Sequence, residues 1–192
     1  MTKATMPAPA GYLLTPLTPE DEPLVQALLE RCTDYVELVS GLPPSPATTH
    51  DLYIVLPEGK GYEDKFLIGL FTPDNELIGV LDAIRDYPQT KEWYLGLLLL
   101  EPEQRGQSLG EQVYHAFERW IAQQGGEAVR LTVAEQNERA YRFWQRLGFR
   151  EIERRPPQMF GAKESVFIVM RREIADREEA PQQAKKSETS PP

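Results

Sequence analysis

The chain holds a single cysteine, Cys32, among 192 residues. That excludes an internal disulfide and a multi-cysteine zinc site. Its two histidines, His50 and His115, are too few for a His-rich metal site, so no metal is expected. No apolar run reaches the ~18 residues that a spanning helix needs, so no membrane partner is predicted. The first residues, MTKATMPAPAGY, lack the apolar core of about 7 to 15 residues that marks a secretory signal. The expectation is a cytoplasmic protein. Positive charge is also scarce. Lys and Arg number 21 against 30 Asp and Glu, a net charge of −9, which repels phosphate backbones and argues against nucleic acid as a partner. Neither G-x-G-x-x-G nor G-x-x-x-x-G-K-[ST] occurs, which weakens a dinucleotide- or P-loop-type reading.

Leu, Ile, Val and Phe make up 24% of the chain, above the ~20% below which a core is rarely built. The length suits one domain with tails: an N-terminal extension over 1–10, a single domain over 11–174, and a polar, proline-bearing tail over 175–192 predicted to be disordered. Charge divides unevenly. Residues 1–102 carry 16 acidic and 6 basic side chains, whereas 103–192 carry 14 and 15. Of 17 prolines none lies between Pro102 and Pro156, so the most regular structure is expected there.

Periodicity predicts a strand over 11–17, then a helix over 19–31 introduced by Thr18-Pro19-Glu20-Asp21, with Leu24, Ala27 and Leu28 on one side. A short helix over 34–40 ends at Gly41. Residues 47–64 are ambiguous, with 51–56 fitting either a short strand or a helical turn. Strands over 65–71 and 76–86 meet at Pro73-Asp74-Asn75. The nearly all-apolar stretch 93–100 reads as a central strand buried on both faces. Leu109, Val113, Ala116, Phe117, Trp120 and Ile121 fall at helical spacing over 108–124. A strand over 128–134, a helix over 137–147 closed by Gly148, and strands over 149–155 and 165–171 complete the chain.

The turn Glu101-Pro102-Glu103-Gln104-Arg105-Gly106-Gln107-Ser108-Leu109-Gly110 joins the central strand to a helix. Such a turn leaves backbone N–H groups open at a helix N-terminus, where the dipole favours anions, phosphates above all. Arg105 adds a guanidinium able to fork onto phosphate oxygens. The same segment also fits a capping box, Ser108-Leu109-Gly110-Glu111. From these residues alone both readings stand.

The next helix brings a second motif, Asn137-Glu138-Arg139-Ala140-Tyr141-Arg142-Phe143-Trp144-Gln145-Arg146-Leu147-Gly148-Phe149. With the Arg105–Gly110 turn about thirty residues upstream, it resembles the GCN5-related N-acetyltransferase superfamily. The lead-in Leu98-Leu99-Leu100-Glu101-Pro102 is similar too. The resemblance implies an α+β fold, with a mixed, largely antiparallel sheet flanked by helices and a central splayed parallel pair. It implies an acetyl-CoA-dependent N-acetyltransferase that passes the acetyl group directly to a primary amine. The alternative is a coenzyme A-binding sensor or interaction module with little catalysis.

By the same resemblance, Arg105, Gly106, Gln107, Ser108, Leu109 and Gly110 cradle the coenzyme A diphosphate. Leu98, Leu99 and Leu100 flank the acyl group, and a backbone N–H near them polarises the thioester carbonyl. Asn137, Ala140 and Trp144 line the pantetheine arm. The sequence departs from the family twice. Ser108 stands where a glycine is usual, and Trp144 stands where a tyrosine usually protonates the departing thiolate. An indole N–H cannot supply that proton, which leaves Tyr141, one turn earlier, as a candidate acid. Asp82, Asp86 and Glu92 sit on elements that border the acceptor side in the family; Asp82 and Glu92 are the candidate bases. The acidic first half favours a cationic amine, small or peptidic, and a homodimer is left open.

Overall fold

The computed structural model describes residues 6–174. The 175–192 tail and residues 1–5 of the N-terminal extension lie outside the described residues. Met6, within that extension, is buried in the core. Strands β1 (Leu13–Pro16), β2 (Lys65–Phe71), β3 (Leu77–Ile84), β4 (Glu92–Leu100), β5 (Ala128–Ala134), β6 (Arg150–Phe160) and β7 (Lys163–Glu173) form one sheet in the order β1-β2-β3-β4-β5-β7-β6. Every pairing is antiparallel except β4 with β5. That pair is parallel because helix α4 (Leu109–Ala122) carries the chain across. The expected mixed sheet with its central parallel pair is therefore present.

The two faces of the sheet are covered differently. Phe66, Ile68, Leu81, Trp93, Leu95, Val129 and Leu131 pack with Val113, Phe117, Trp120 and Ile121 of α4, and with Trp144 of α5 (Glu138–Arg146). Burying each of these large side chains is worth roughly 1.5–3 kcal/mol. On the other face, Leu67, Val80 and Leu99 meet α1 (Glu22–Arg31) and α2 (Thr33–Ser40).

Several expectations are corrected. The buried stripe of α1 is Val25, Leu28 and Leu29, while Leu24 is 47% exposed. Both stripes have helical spacing, and only the sheet above them selects one. The ambiguous stretch contains a helix, α3 (Pro46–Ile54), started by Ser45, whose Oγ accepts the Thr48 N–H at 3.2 Å. Asp86 lies beyond β3, in a turn at φ 54°, where its carboxylate accepts the Lys91 N–H at 2.6 Å. The last two strands form a longer hairpin than expected. A shift in register between Arg155 and Gln158 accommodates Pro156-Pro157, which an edge strand tolerates because it has no partner on its outer side.

Candidate active site

The β4–β5 ladder runs from Glu92↔Ala128 to Leu95↔Leu131 and ends there. Beyond it the strands part, and a cleft of about 300 Å³ opens. Gly96, Leu97 and Leu98 of β4, Thr132, Val133 and Ala134 of β5, and Asn137, Ala140 and Trp144 line one part of it. This opening is why the second half of β4 is not buried on both faces as its apolar sequence suggests: Gly96 is exposed and Leu97 and Leu98 are half-buried.

The ladder phase identifies which backbone groups face the cleft. Glu101 donates its N–H to Ile78 at 2.9 Å, and Leu99 pairs with Val80. In an antiparallel ladder inward and outward N–H groups alternate. Leu98 and Leu100 therefore turn their N–H groups away from β3, toward the opening. A bulge at Gly96 marks the same spot, since Asp82 pairs with Leu97 and Ala83 with Leu95.

At the end of β4 the chain turns into α4. Gly106 has φ 84° and Ser108 φ 60°, both left-handed. The serine does not cap the helix with its side chain, so the capping-box reading is corrected. Gln112 donates to the Ser108 carbonyl at 3.0 Å. Among the described residues, the backbone N–H groups of Gly106 to Glu111 meet no backbone acceptor. These donors at the start of a 14-residue helix form an anion cradle. A Cβ on Gly110 would meet the Leu100 and Phe143 side chains at 3.6 Å, an ordinary contact distance. These open N–H donors fit a diphosphate.

Arg105 departs from its expected role. Its Nε donates to the Leu100 carbonyl at 2.7 Å, and its two terminal nitrogens grip Asp34 of α2 at 2.5 and 3.2 Å. The guanidinium holds the loop against α2 instead of forking into the cradle. It also keeps the Asp34 carboxyl below the usual range.

Asn137 accepts the Ala140 N–H at 3.1 Å and so caps α5 beside the cleft. Trp144 is buried edge-on against Tyr114, Phe143 and Phe149. Tyr141 is not brought to the cleft: its hydroxyl donates to Glu151 at 3.2 Å.

The two candidate bases are placed very differently. Glu92 is 1% exposed, at the paired end of β4, and accepts from Arg130 at 2.5 Å and Gln89 at 2.8 Å, with Arg171 at 3.4 Å. A carboxylate so neutralised is a structural ion pair. Asp82 accepts from Lys65 at 2.8 Å, and burial pushes its carboxyl above the ordinary value despite that ammonium. One of its oxygens sits 3.1 Å from where a Cβ on Gly96 would be. Asp82 thus packs closely on Gly96, which itself lines the cleft.

The rest of the lining comes from residues that the motifs do not include: Tyr35 and Val39 of α2, Tyr94, Arg155, Gln158, Phe160 and Phe167. Burial pushes the Tyr35 phenol up to about 12. Tyr94 donates to Thr132 at 2.9 Å. Lys163 donates to the carbonyls of Glu37 and Leu38, both at 3.0 Å, docking the β6–β7 hairpin on the C-terminal end of α2. The Gly161 turn beside it has no room for a side chain, since a Cβ would lie 2.5 Å from the Ser40 carbonyl. No local sequence signal marks these contacts; pairs such as Lys163 with Leu38 are 125 positions apart.

Comparison with known proteins agrees with this geometry. The model of the acetyltransferase (GNAT) family matches residues 24–149. The chain belongs to that family. No curated protein matches the sequence. Among solved structures, an acetyltransferase from Thermus thermophilus is 26% identical, with a TM-score of 0.68 over 88% of this chain and 99% of the other. Spermidine N-acetyltransferase from Vibrio cholerae, in complex with CoA and spermine, is 15% identical, with a TM-score of 0.67 over 86% and 97%. The ribosomal-protein-S18-alanine N-acetyltransferase from Escherichia coli is 19% identical, with a TM-score of 0.62 over 85% and 94%. The last two likenesses are likenesses of fold. No helix among the described residues is long and apolar enough to cross a membrane.

Proposed function

We propose that this chain, through one domain over 11–174, is an acetyl-CoA-dependent N-acetyltransferase that transfers the acetyl group directly to a primary amine in the cytoplasm. The observation that carries this reading is the parting of β4 and β5 after Leu95 and Leu131, beside a helix N-terminus whose first N–H groups lack backbone acceptors. The cradle over Gly106–Gly110 would hold the diphosphate of acetyl-CoA. The pantetheine arm would run past Asn137, Ala140 and Trp144, bringing the thioester to the Leu98 N–H. That N–H stabilises the charge developing on the carbonyl oxygen as the amine attacks. Holding amine and thioester in line supplies much of the acceleration.

The amine must first lose a proton. Asp82 is the better candidate base, because it packs on Gly96 of the cleft wall and has a raised affinity for protons. Glu92 is held by two arginines at the far end of the strand. Departure of the thiolate has no tyrosine at position 144 to assist it, so water serves as the proton source.

The acidic first half favours a cationic acceptor, and the spermine-bound neighbour agrees with that. Part of that charge is already engaged. Asp34, Asp64, Asp82, Glu92 and Glu101 are all spent in ion pairs, and charges on other faces are screened beyond roughly 8 Å. The cleft's own lining decides the acceptor.

Trp144 and the remote Tyr141 hydroxyl favour one alternative, a coenzyme A-binding module without turnover. Incubation with acetyl-CoA and an amine panel, with thiol release and product mass measured, separates the two. Binding of acetyl-CoA without any acceptor-dependent thiol would select the module.

A further inference from the structure

Arg155 is the one charged residue among the described residues lining the cleft, and no carboxylate among them lines it. Resting on the acyltransferase reading, we propose that the acceptor carries an anionic group, a carboxylate, besides its amine, and that Arg155 is the residue that selects it. The acceptor class is a compact amino-acid-like amine with an apolar body.

The backbone explains why Arg155 reaches the cleft. In a regular strand, residues 155 and 158 would face opposite sides. The bulge at Pro156-Pro157 sets Arg155 opposite Phe167 and Gln158 opposite Ser165, two positions that share a face of β7. Arg155 and Gln158 are thereby aimed the same way and both line the cleft. Arg154, next in sequence, turns elsewhere and donates to Glu135 and Glu151.

Arg155 is also available for an anion. Its ion pair is to Glu153 at 3.7 Å, between side chains 42% and 52% exposed. That is too long for a hydrogen bond, and pairs so exposed hold weakly. A carboxylate entering the cleft meets a guanidinium with open donors, which can grip both its oxygens.

The register gives the acceptor's size. Ala134 on β5 pairs with Phe167, which pairs with Arg155. Arg155 is thus rooted two strand spacings, ~10 Å, from the rim of the β4–β5 opening, in the lining of the same cleft. Tyr35, Tyr94, Phe160 and Phe167 line the same cleft. These rings offer faces to an apolar body and no carboxylate to a second ammonium.

The test uses the full chain with acetyl-CoA and matched acceptors: phenylalanine against phenylalaninamide, methionine against methioninamide, and spermidine as the cationic control. Each free acid should exceed its amide by roughly 10-fold or more in kcat/KM, the scale of one charge-assisted contact. Arg155→Gln should erase that preference, Arg155→Lys should restore part of it, and both should leave the acetyl-CoA dissociation constant unchanged. Amides used as well as acids, spermidine preferred, or Arg155→Gln slowing all acceptors equally would overturn the proposal. Weakened acetyl-CoA binding in Arg155→Gln would also overturn it, by assigning the side chain to the cofactor. If acetyl-CoA binds but no acceptor yields thiol, the acyltransferase reading fails by itself. Calorimetric binding of the acid and amide pairs to the acetyl-CoA-loaded protein then decides on Arg155.

Discussion

Arg105 and Asp34, 71 positions apart in sequence, close on each other through two hydrogen bonds of 2.5 and 3.2 Å. The pair ties the anion cradle to α2, which also supplies Tyr35 and Val39 to the acceptor side. The same guanidinium holds the Leu100 carbonyl, so one side chain fixes the exit of β4, the cradle and α2 together.

Breaking that latch should therefore reach acetyl-CoA binding without any direct contact. Arg105→Glu places a carboxylate against Asp34 and near the diphosphate, and should weaken acetyl-CoA binding by ~10-fold or more. Asp34→Asn keeps the shape, loses the charge, and should cost a few-fold at most. The pH dependence has a defined sign. Arg105 lowers the Asp34 carboxyl below its unfolded value. Its contribution is present above the ordinary carboxylate range and is lost as pH falls through the lowered value. Calorimetric titration of both variants checks this, and an unchanged constant for Arg105→Glu would separate the latch from the cradle.

Asp82 and Gly96 make a second test. Asp82→Asn should lower kcat by about 100-fold, the scale of general-base catalysis, with acetyl-CoA binding unchanged. Because burial raises the Asp82 carboxyl, the wild-type rate should fall on acidification at a higher pH than an ordinary aspartate would give. The variant should lack that limb. Gly96→Ala drives a methyl to within 3.1 Å of the Asp82 oxygen and should also lower kcat. If pH–rate profiles of wild type and Asp82→Asn superimpose, the base lies elsewhere.

Glu92 should behave as architecture. Glu92→Gln leaves Arg130 and Arg171 short of their shared partner at a 1%-exposed position. Breaking one side of a buried ion pair costs about 3 kcal/mol or more, equivalent to a Tm lower by roughly 6–12 °C for a chain of this size. Thermal unfolding measures the loss. Comparing kcat per folded molecule excludes the alternative, since a base would cost ~100-fold there.

What the sequence revealed and what it hid follow one physical distinction. The cofactor side is legible because a strand, a glycine turn and a capped helix lie consecutively along the chain. Leu98, Asn137 and Trp144 share one cleft, and Gly110 lies in the first turn of α4. The fate of Arg105 was hidden, because its partner is on a different helix. The acceptor side was hidden for the same reason: it is assembled from α2, β4 and the β6–β7 hairpin. Net charge points to a cationic acceptor, yet a tally does not see which carboxylates are already paired.

Position 144 gives the last test. The hydroxyl of Tyr141, the nearest tyrosine in sequence, is bound to Glu151 outside the cleft, and Trp144 is packed among three rings. If neither protonates the departing thiolate, Tyr141→Phe should leave kcat within ~3-fold, well under the ~100-fold that a general acid contributes. Trp144→Tyr would introduce a hydroxyl where the family usually has one, but in a smaller side chain. It should cost stability, on the order of 1–3 kcal/mol, through lost packing. Coenzyme A leaves as a thiolate whose own proton affinity is modest, so the added acid should raise kcat by no more than a few-fold. A rise approaching ~100-fold would show that thiolate departure limits the natural enzyme and that Trp144 restrains it. A ~100-fold fall in Tyr141→Phe would instead require the helix to turn that hydroxyl inward during turnover. Steady-state rates with thiol detection, beside Tm values for both variants, distinguish the three outcomes.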